Sequence, residues 1–174
     1  VNDFMKKGFN QYAPMPGTIE LRNEISKKVK RDYGKFYNPE SEITITAGAT
    51  QALFTAFSTI IKPGDEVIIF EPAYDSYIPA IKLNCGIPVS LSLNQNDFSI
   101  PWNEVKRAIT ERTKCIVINS PHNPTGSILQ DSDIKQLEKI VKDKNIFLIS
   151  DEVYEHIVFD NRKHFSFASS EELL

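Results

Sequence analysis

The strongest chemical signal in the sequence is the segment Asp151-Glu152-Val153-Tyr154, which follows the apolar run 146–149. A carboxylate at the end of a buried strand lies at low dielectric, where it requires a partner charge or a hydrogen bond. The protonated nitrogen of a pyridine ring is one suitable partner for Asp151. Capping of a following helix by Asp151 is the structural alternative, and this segment alone does not decide between the two.

A second chemical segment, Asn119–Gly126, follows the apolar run 115–118 and contains two prolines and a glycine. This composition predicts a rigid turn, in which a cis peptide bond at Asn123-Pro124 is one option. A rigid turn fixes the side-chain amide of Asn123, which can donate and accept hydrogen bonds. A single histidine beside a turn is more often structural than catalytic, so His122 is not placed among the catalytic residues.

Two further segments also follow predicted strands. Gly48-Ala49-Thr50 opens a helix, where small residues let backbone N–H groups approach an anion and the Thr50 hydroxyl adds a donor. An ordinary tight turn with Thr50 as the cap explains the same residues. Tyr74 could lay its ring on a flat heteroaromatic ligand, and a core aromatic under the next helix is the alternative.

The glycine fingerprints of dinucleotide and nucleoside-triphosphate sites are absent from the sequence.

The elements that must position these segments alternate along the chain. The apolar patterns predict strands over 43–46, 66–70, 89–93, 115–118 and 146–149. They predict helices over 18–33, 50–61, 74–83, 102–109 and 131–142, the last of them capped by Asp131. Fully apolar strands separated by helices indicate an α/β fold in three layers (α/β/α), with a mostly parallel sheet covered on both faces. Ligands bind beyond the carboxyl ends of strands in such sheets, where all four chemical segments are expected.

Composition excludes several classes of protein. The 174 residues are 41% hydrophobic and carry a net charge of −3, which suits a globular domain and offers no broad attraction to nucleic acid or anionic membranes. The basic run 27–31 is interpreted as a solvated helix face. Cys85 and Cys115 are too few for a disulfide framework, and the three histidines lack metal-binding spacing, so no metal is expected. Reduced cysteines, without a signal peptide or membrane segment, predict a cytoplasmic protein.

Taken in order, these segments resemble the class I/II aminotransferases, pyridoxal 5'-phosphate (PLP) enzymes of fold type I, over essentially the whole chain. The resemblance is carried by Asn10-Gln11-Tyr12, Pro16-Gly17, Leu21-Arg22, Ala47–Leu53, Pro63–Val67, Glu71–Tyr74, Ser120–Gly126 and Ser150–Tyr154. Each segment is modest alone, whereas their joint occurrence in this order is highly specific. Within the family, the sequence is most similar to the branch of methionine, aromatic and kynurenine aminotransferases.

The resemblance implies roles for the matching residues toward PLP. The backbone N–H groups of Ala49 and Thr50 are expected to hold its phosphate, and Tyr74 is expected to stack on the pyridine ring. Asp151 is expected to pair with the protonated ring nitrogen. Holding that nitrogen protonated makes the ring an electron sink for charge that develops at the substrate Cα.

Three more residues receive roles from the same resemblance. Asn123 and Tyr154 are expected to bond the 3′-oxygen of PLP, and Asn123 is also expected near the substrate carboxylate. Tyr12 is expected to reach the phosphate held by a neighbouring subunit. The resemblance therefore implies a homodimer with shared sites.

One family feature has no counterpart in this sequence. The Schiff-base lysine of the family lies in a serine-rich motif well downstream of the aspartate, but Ala168-Ser169-Ser170 is not followed by a lysine before the end at Leu174. Lys163 lies in a different context and is interpreted as a surface residue. The arginine that binds the substrate carboxylate is also missing. No catalytic residue is therefore assigned within the chain, which alone is expected to be inactive and to retain PLP weakly.

These features predict that residues 1–174 are part of a PLP-binding large domain, with residues 1–35 at the dimer interface and a C-terminal small domain outside the sequence. The predicted activity of the parent protein is transfer of an amino group between an L-amino acid, such as methionine or an aromatic one, and a 2-oxo acid. A PLP-dependent carbon–sulfur β-lyase acting on cysteine conjugates would use the same residues. A PLP-sensing domain of a transcription regulator is a third reading, without support from any basic feature here.

Overall fold

The computed structural model describes residues 1–171 and 173. The chain divides into two compact units, which we call the N-terminal unit (Val1–Ala47) and the sheet unit (Gly48–Leu174). None of the helices in the described part of the chain combines the length and apolar character that a bilayer crossing requires.

The N-terminal unit contains two helices, α1 (Asn2–Lys6) and α2 (Ile19–Tyr33). The prediction of a helix over 18–33 is confirmed, with Thr18 as its N-cap. The helix ends at Gly34, which adopts φ 74° and donates its N–H to the carbonyl oxygen of Lys30. A left-handed residue at this position satisfies a carbonyl that the helix itself leaves free.

The buried side of α2 is polar and anchors nearby loops. Arg22 donates from Nε to the carbonyl oxygen of Gly17 over 3.1 Å and from Nη1 to that of Pro39 over 2.5 Å. Ser26 donates to the carbonyl oxygen of Tyr37 over 2.6 Å. These bonds satisfy groups that would otherwise be buried without partners.

The strand predicted over 43–46 is wrong, because these described residues form no strand. The N–H of Ile45 bonds the carbonyl oxygen of Pro16 over 2.9 Å. A Cβ placed on Gly17 would lie 2.5 Å from the side chain of Ile45. The β-branched run therefore packs closely against Gly17, where only a glycine fits, instead of joining a sheet.

The sheet unit contains a four-stranded parallel sheet in the order β2-β1-β3-β4. The strands are β1 (Glu66–Glu71), β2 (Ile87–Ser92), β3 (Thr113–Asn119) and β4 (Phe147–Asp151). The helices are α3 (Ala49–Ile60), α4 (Tyr77–Leu83), α5 (Trp102–Ala108) and α6 (Asp131–Val141), followed by a short 3-10 helix, Phe167–Ser169. The predicted α/β class and parallel sheet are confirmed.

The strands alternate their side chains between two separate cores, which makes the unit three-layered. One core joins Ile68, Phe70, Ile116 and Ile118 of the sheet with Val105 of α5 and Leu137 of α6. The other joins Val67, Ile69, Cys115 and Val117 of the sheet with Phe57 of α3 and Ile81 of α4. Burial on both faces explains the continuous apolar runs of β1 and β3, since each large apolar side chain removed from water contributes about 1.5–3 kcal/mol. The prediction that 146–149 is a buried strand is wrong, because β4 lies at the edge of the sheet and Phe147 is 45% exposed.

Two helix starts differ from the sequence prediction. Helix α4 begins at Tyr77 and not near Tyr74, because a turn closed by the bond from Tyr77 N–H to the carbonyl oxygen of Tyr74 precedes it. Asp131 is the first residue of α6 and not its cap. Gln130 is the N-cap, and it exchanges hydrogen bonds with Asp133. The ends of the remaining predicted elements of the sheet unit lie within two residues of the observed ones.

Candidate active site

The carboxyl ends of three neighbouring strands lie along one edge of the sheet, because β1, β3 and β4 run parallel. Strands β3 and β4 end in register, with Asn119 opposite Asp151. The loops that follow these strands therefore start from the same edge, as expected for a ligand site in such a fold. Every predicted site residue except Tyr12 belongs to the sheet unit.

Asp151 ends β4 and is nearly buried, with 8% of its surface exposed. Its carboxyl oxygen Oδ2 accepts a hydrogen bond from the Tyr77 hydroxyl over 2.6 Å. The helix-capping alternative is wrong, because Asp151 closes a strand and residues 153–156 form turns instead of a helix. A cleft beside Asp151 is lined in part by Ala49 and Val153. The small Ala49 leaves room next to the carboxyl group.

Tyr77 is a site residue that the local sequence pattern did not reveal. It is 3% exposed at the start of α4. Burial raises the pKa of its hydroxyl, and the bond to Asp151 raises that pKa further, so Tyr77 remains a proton donor at neutral pH. Its ring meets that of Tyr74 edge-on, with centroids 5.7 Å apart and an interplanar angle of 79°. The recurrence of tyrosine three positions after Tyr74 is the one signal that could have found it.

Asn119 is a second residue that the pattern did not reveal, and its side-chain amide bridges two predicted site residues. Nδ2 donates to the backbone carbonyl oxygen of Asp151 over 2.8 Å. Oδ1 accepts from the backbone N–H of Asn123 over 2.7 Å. These partners determine which end of the amide carries the oxygen, since a carbonyl needs a donor and an N–H needs an acceptor. A polar residue closing an otherwise apolar strand is the signal that marks it.

The segment 119–126 forms the tight turn that its prolines predict. The peptide bond before Pro124 is cis, as is the one before Pro121. The N–H of Gly126 donates to the carbonyl oxygen of His122 over 2.8 Å and closes the turn. Asn123 is half-buried, so its side chain is held at the surface of the site.

His122 lies at the centre of this turn and is 9% exposed. Its ring Nδ1 lies 2.8 Å from the hydroxyl oxygen of Thr125, and its backbone N–H donates to the carbonyl oxygen of Ser127 over 2.8 Å. Burial lowers the pKa of the ring, and an interaction with the backbone of Pro72 opposes that shift. These contacts favour the structural interpretation of His122, which links the turn to the loop after β1.

The amino end of α3 carries Ala49 and Thr50, both exposed. Gly48 is the N-cap at φ 90° and ψ 166°, a conformation that essentially only glycine adopts. Capping by Thr50 is wrong, because Thr50 is the second helical residue and no side chain caps this helix. The first helical N–H groups have no intrahelical acceptor. A Cβ on Gly48 would meet no atom within 4 Å, so the space around this turn is open.

Tyr74 is half-buried and packs on the edge of the core beneath α3 and α4. Its hydroxyl lies 3.2 Å from Oγ1 of Thr50, within hydrogen-bond distance. The structure thus brings together two residues predicted to bind different parts of one ligand. Part of the Tyr74 surface remains accessible, unlike that of a fully buried core aromatic.

Of the other residues predicted to contact PLP, Asn123 and Tyr154 belong to the sheet unit and Tyr12 to the N-terminal unit. Asn123 and Tyr154 line one cleft together with Ile157 and Phe159. Tyr154 is 37% exposed. Tyr12 belongs to the N-terminal unit, where its side chain is fully exposed. Lys163 is exposed, which agrees with its interpretation as a surface residue.

Glu152 takes part in a separate polar network next to the site. Oε1 accepts from the Ser150 hydroxyl over 2.6 Å and from the backbone N–H of Phe167 over 3.2 Å, and Oε2 lies 2.7 Å from Nε2 of His164. Burial acts to raise the pKa of Glu152, but the bonds from His164 and Ser150 outweigh it and lower that pKa. Glu155 lies near enough to complete a three-ligand cluster. Both Glu152 oxygens are already bonded, so we assign the cluster no metal.

The residues around Asp151 fit PLP at its ring nitrogen. Tyr77 is the one side chain within residues 1–171 and 173 that donates to the Asp151 carboxyl group. One carboxyl oxygen therefore retains the capacity to accept from a further donor. A carboxylate that is nearly buried favours a cationic N–H in that place, because a charge-assisted bond offsets the cost of its desolvation.

The chain belongs to the class I and II aminotransferase family, whose model matches residues 2–172. A methionine aminotransferase of Escherichia coli (strain K12) is 45% identical over 160 residues, covering 92% of this chain and 42% of that protein. An aspartate aminotransferase of Pyrococcus abyssi is 40% identical over 163 residues, covering 93% of this chain and 42% of that protein. The chain therefore spans less than half the length of these curated relatives.

Solved structures share the fold as well as the sequence. A structure from Escherichia coli with a methionine aminotransferase function superposes with a TM-score of 0.94 at 42% identity, covering 99% of this chain and 46% of that one. An aromatic aminotransferase from Pyrococcus horikoshii superposes with a TM-score of 0.92 at 37% identity, with the same coverage of 99% and 46%. These similarities confirm the family resemblance seen in the sequence.

Proposed function

We propose that the protein to which residues 1–174 belong is a PLP-dependent aminotransferase, which moves an amino group between an L-amino acid and a 2-oxo acid. Membership of the family supports the reaction class. The observation that carries the proposal is the nearly buried carboxyl group of Asp151, which accepts from Tyr77 over 2.6 Å and keeps an oxygen for a second donor.

Bound PLP, when protonated at its ring nitrogen, supplies an electron sink for negative charge that develops at the substrate Cα. Asp151 would keep the proton on that nitrogen, because a carboxylate at low dielectric strongly stabilises an adjacent cation. Tyr77 would hold Oδ2 of Asp151 and so keep the other oxygen directed at the ring. Together they would maintain the charge on which the reaction depends.

The amino end of α3 would bind the phosphate. The N–H groups of Ala49 and Thr50 stand where the partial positive charge of a helix favours an anion by about 0.3–1 kcal/mol. Tyr74 would lay its ring against the pyridine and could share a hydrogen bond with Thr50, from which it is separated by 3.2 Å. The contact between these two residues supports a single ligand that reaches both.

Asn123 and Tyr154 would bond the 3′-oxygen, and Asn123 would also contact the substrate carboxylate. That both residues line one cleft supports this assignment. The Schiff-base lysine and the arginine for the substrate carboxylate would come from sequence downstream of this chain. We therefore assign the activity to the longer protein and none to these residues alone.

We further propose that residues 1–174 are part of the PLP-binding large domain and that residues 1–35 contribute to a homodimer interface. Large apolar side chains in this stretch are exposed, among them Phe4 (62%), Phe9 (70%) and Met15 (90%). A second subunit would remove this surface from water, and Tyr12 would reach the phosphate bound there. Light scattering of the full-length protein should give two protomers, and a monomer at micromolar concentration would contradict the assignment.

A cytoplasmic location is part of the same proposal. Both cysteines are free thiols, with Cys85 exposed and Cys115 buried. Burial raises the pKa of Cys115 to about 12, so its thiol is unreactive at neutral pH. Free thiols suit a reducing compartment.

The test uses the full-length protein reconstituted with PLP and a panel of amino donors that includes methionine and aromatic amino acids. We expect the absorption of bound PLP to change to that of its aminated form, pyridoxamine phosphate. Asp151→Asn should lower kcat/KM by about 100-fold or more, the scale of losing one preorganised electrostatic contact. Asp143→Asn, which alters an exposed carboxylate in the loop after α6, is the matched control and should have no effect.

Two results would count against this proposal. The first is the absence of the spectral change with every amino donor, and the second is an Asp151→Asn variant as active as the parent. Release of pyruvate and ammonia from cystathionine without an oxo acid would instead identify the β-lyase alternative.

A further inference from the structure

We infer that Asn119 is a positioning residue of this site, whose amide sets the spacing between Asp151 and Asn123. The inference rests on the proposed function, because the ligand that benefits from this spacing is PLP. Asp151 would contact the ring nitrogen and Asn123 the 3′-oxygen, so the two contacts fall on different parts of one rigid ring. A rigid ligand rewards a fixed distance between its contacts.

The bond to Asp151 lies where the sheet ends. Asn119 and Asp151 are the last paired residues of β3 and β4. The carbonyl oxygen of Asp151 accepts from two donors, Nδ2 of Asn119 over 2.8 Å and the N–H of Ser120 over 3.1 Å. Both donors come from the β3 side, so they extend the attachment of the two strands to the residue that carries the functional carboxyl group.

The bond to Asn123 crosses the tight turn. Oδ1 of Asn119 accepts the backbone N–H of Asn123, four positions later, over 2.7 Å. This bond holds the backbone from which the Asn123 side chain projects. A single planar amide therefore connects both residues, and any displacement of Asn119 changes their relative position. Neither Asp nor Leu at this position could make both bonds, because one lacks the donor and the other lacks both groups.

A positioning role and a merely structural role of Asn119 predict different effects of its removal once the Asn123 side chain has been truncated. If Asn119 acts through Asn123, its removal matters only while the Asn123 side chain is present to be positioned. If Asn119 only stabilises the fold, its removal has the same effect whether or not that side chain is present. A double-mutant cycle measures this difference directly.

The experiment measures the PLP dissociation constant of the full-length apoprotein, by absorption titration, for the parent, Asn119→Ala, Asn123→Ala and the double variant. We expect Asn119→Ala to weaken binding about 10-fold in the parent, since two hydrogen bonds are lost. In the Asn123→Ala background we expect less than about a 2-fold further change. The pH midpoint of the absorption of bound PLP should also shift in Asn119→Ala in the same direction as in Asn123→Ala.

Asn84→Ala is the matched control. In the parent protein, Nδ2 of Asn84 also donates to a backbone carbonyl oxygen, that of Ala80, over 2.8 Å, but at the end of α4 outside the site. It should leave PLP binding unchanged in both backgrounds. If Asn119→Ala does not fold, Asn119→Ser replaces it in the cycle, because serine keeps a polar group at the strand end but is too short to bridge both partners.

The outcomes separate this inference from the proposed function. Equal weakening by Asn119→Ala in both backgrounds, or no weakening in either, overturns the positioning role while leaving the function intact. Failure of the parent protein to bind PLP overturns both. Weakening that disappears when Asn123 is truncated supports both.

Discussion

The hydroxyl of Tyr77 donates a hydrogen bond to Oδ2 of Asp151 over 2.6 Å, although the two residues are 74 positions apart in the chain. Asp151 closes β4, and Tyr77 opens α4 after β1, which is separated from β4 by β3 in the sheet. Their contact joins a carboxyl group at the sheet edge to a donor from a different layer. It also explains how a nearly buried carboxyl group is tolerated before any ligand binds.

Replacing Tyr77 with phenylalanine tests the contribution of this bond to stability. We expect Tyr77→Phe to lower the free energy of unfolding by about 1–3 kcal/mol, because it removes the donor of a nearly buried carboxyl group. Urea unfolding of the full-length apoprotein measures the change. Ser58→Ala, which removes an exposed hydroxyl bonded to the carbonyl oxygen of Phe54, is the control and should cost clearly less. Equal losses in the two variants would contradict this account of the Tyr77 bond.

His122 predicts a pH dependence of stability. Burial lowers its pKa in the folded state, so folding favours the neutral ring. In the unfolded chain the His122 ring is protonated below about pH 6.5. The contribution of the neutral ring to the free energy of unfolding is therefore complete above that pH and is lost as the pH falls through the lower folded-state pKa. One such group changes the free energy of unfolding by up to about 1.4 kcal/mol per pH unit.

The corresponding measurement compares unfolding free energies at pH 7.5 and pH 5.5. We expect the parent protein to lose more stability over this interval than His122→Asn, which has no ring to protonate. His156→Asn serves as the control, because the side chain of His156 is 71% exposed. Identical pH slopes in the parent and in His122→Asn would show that His122 does not carry this dependence.

Gly48 is expected to tolerate no side chain. At φ 90° and ψ 166° it adopts a conformation that costs an L-residue about 1–3 kcal/mol. Gly48→Ala should lower the free energy of unfolding by that amount and weaken PLP binding, since the turn supports Ala49 and Thr50. Gly34→Asn is the control, because φ 74° and ψ 2° is a left-handed conformation that asparagine tolerates.

A Cβ at either glycine would meet no atom within 4 Å. The comparison therefore isolates backbone strain from crowding. Equal stability of Gly48→Ala and the parent in thermal unfolding would mean that the turn relaxes without cost.

Local sequence pattern predicted where most, but not all, of the strands and helices of the sheet unit begin and end. The runs within β1 and β3 are apolar at every position because both faces are covered, and this marked them as buried parallel strands. The run 43–46 has the same β-branched character but packs against Gly17, and no local feature distinguishes the two situations. The start of α4 was misplaced because a turn bond, from Tyr77 to Tyr74, ended the preceding loop later than helix propensity suggests.

The sequence by itself determined the fold class, the family and the segments where chemistry belongs, since each of these is written in the order and type of neighbouring residues. Asp151 could be singled out because a carboxylate close behind a continuous apolar run is unusual wherever it occurs. Local pattern also separated the buried runs from the loops between them, since periodicity extends over only a few residues.

Only the tertiary structure decided which polar atoms meet. Tyr77 donates to Asp151 across 74 positions, and Asn119 bonds Asp151 across 32. Such contacts depend on which strands become neighbours and in what register. A sequence also does not show which partner the oxygen or the nitrogen of an amide side chain will face. The physical reason is that hydrogen bonds require ångström-scale geometry, whereas hydrophobic burial requires only that a side chain face the core.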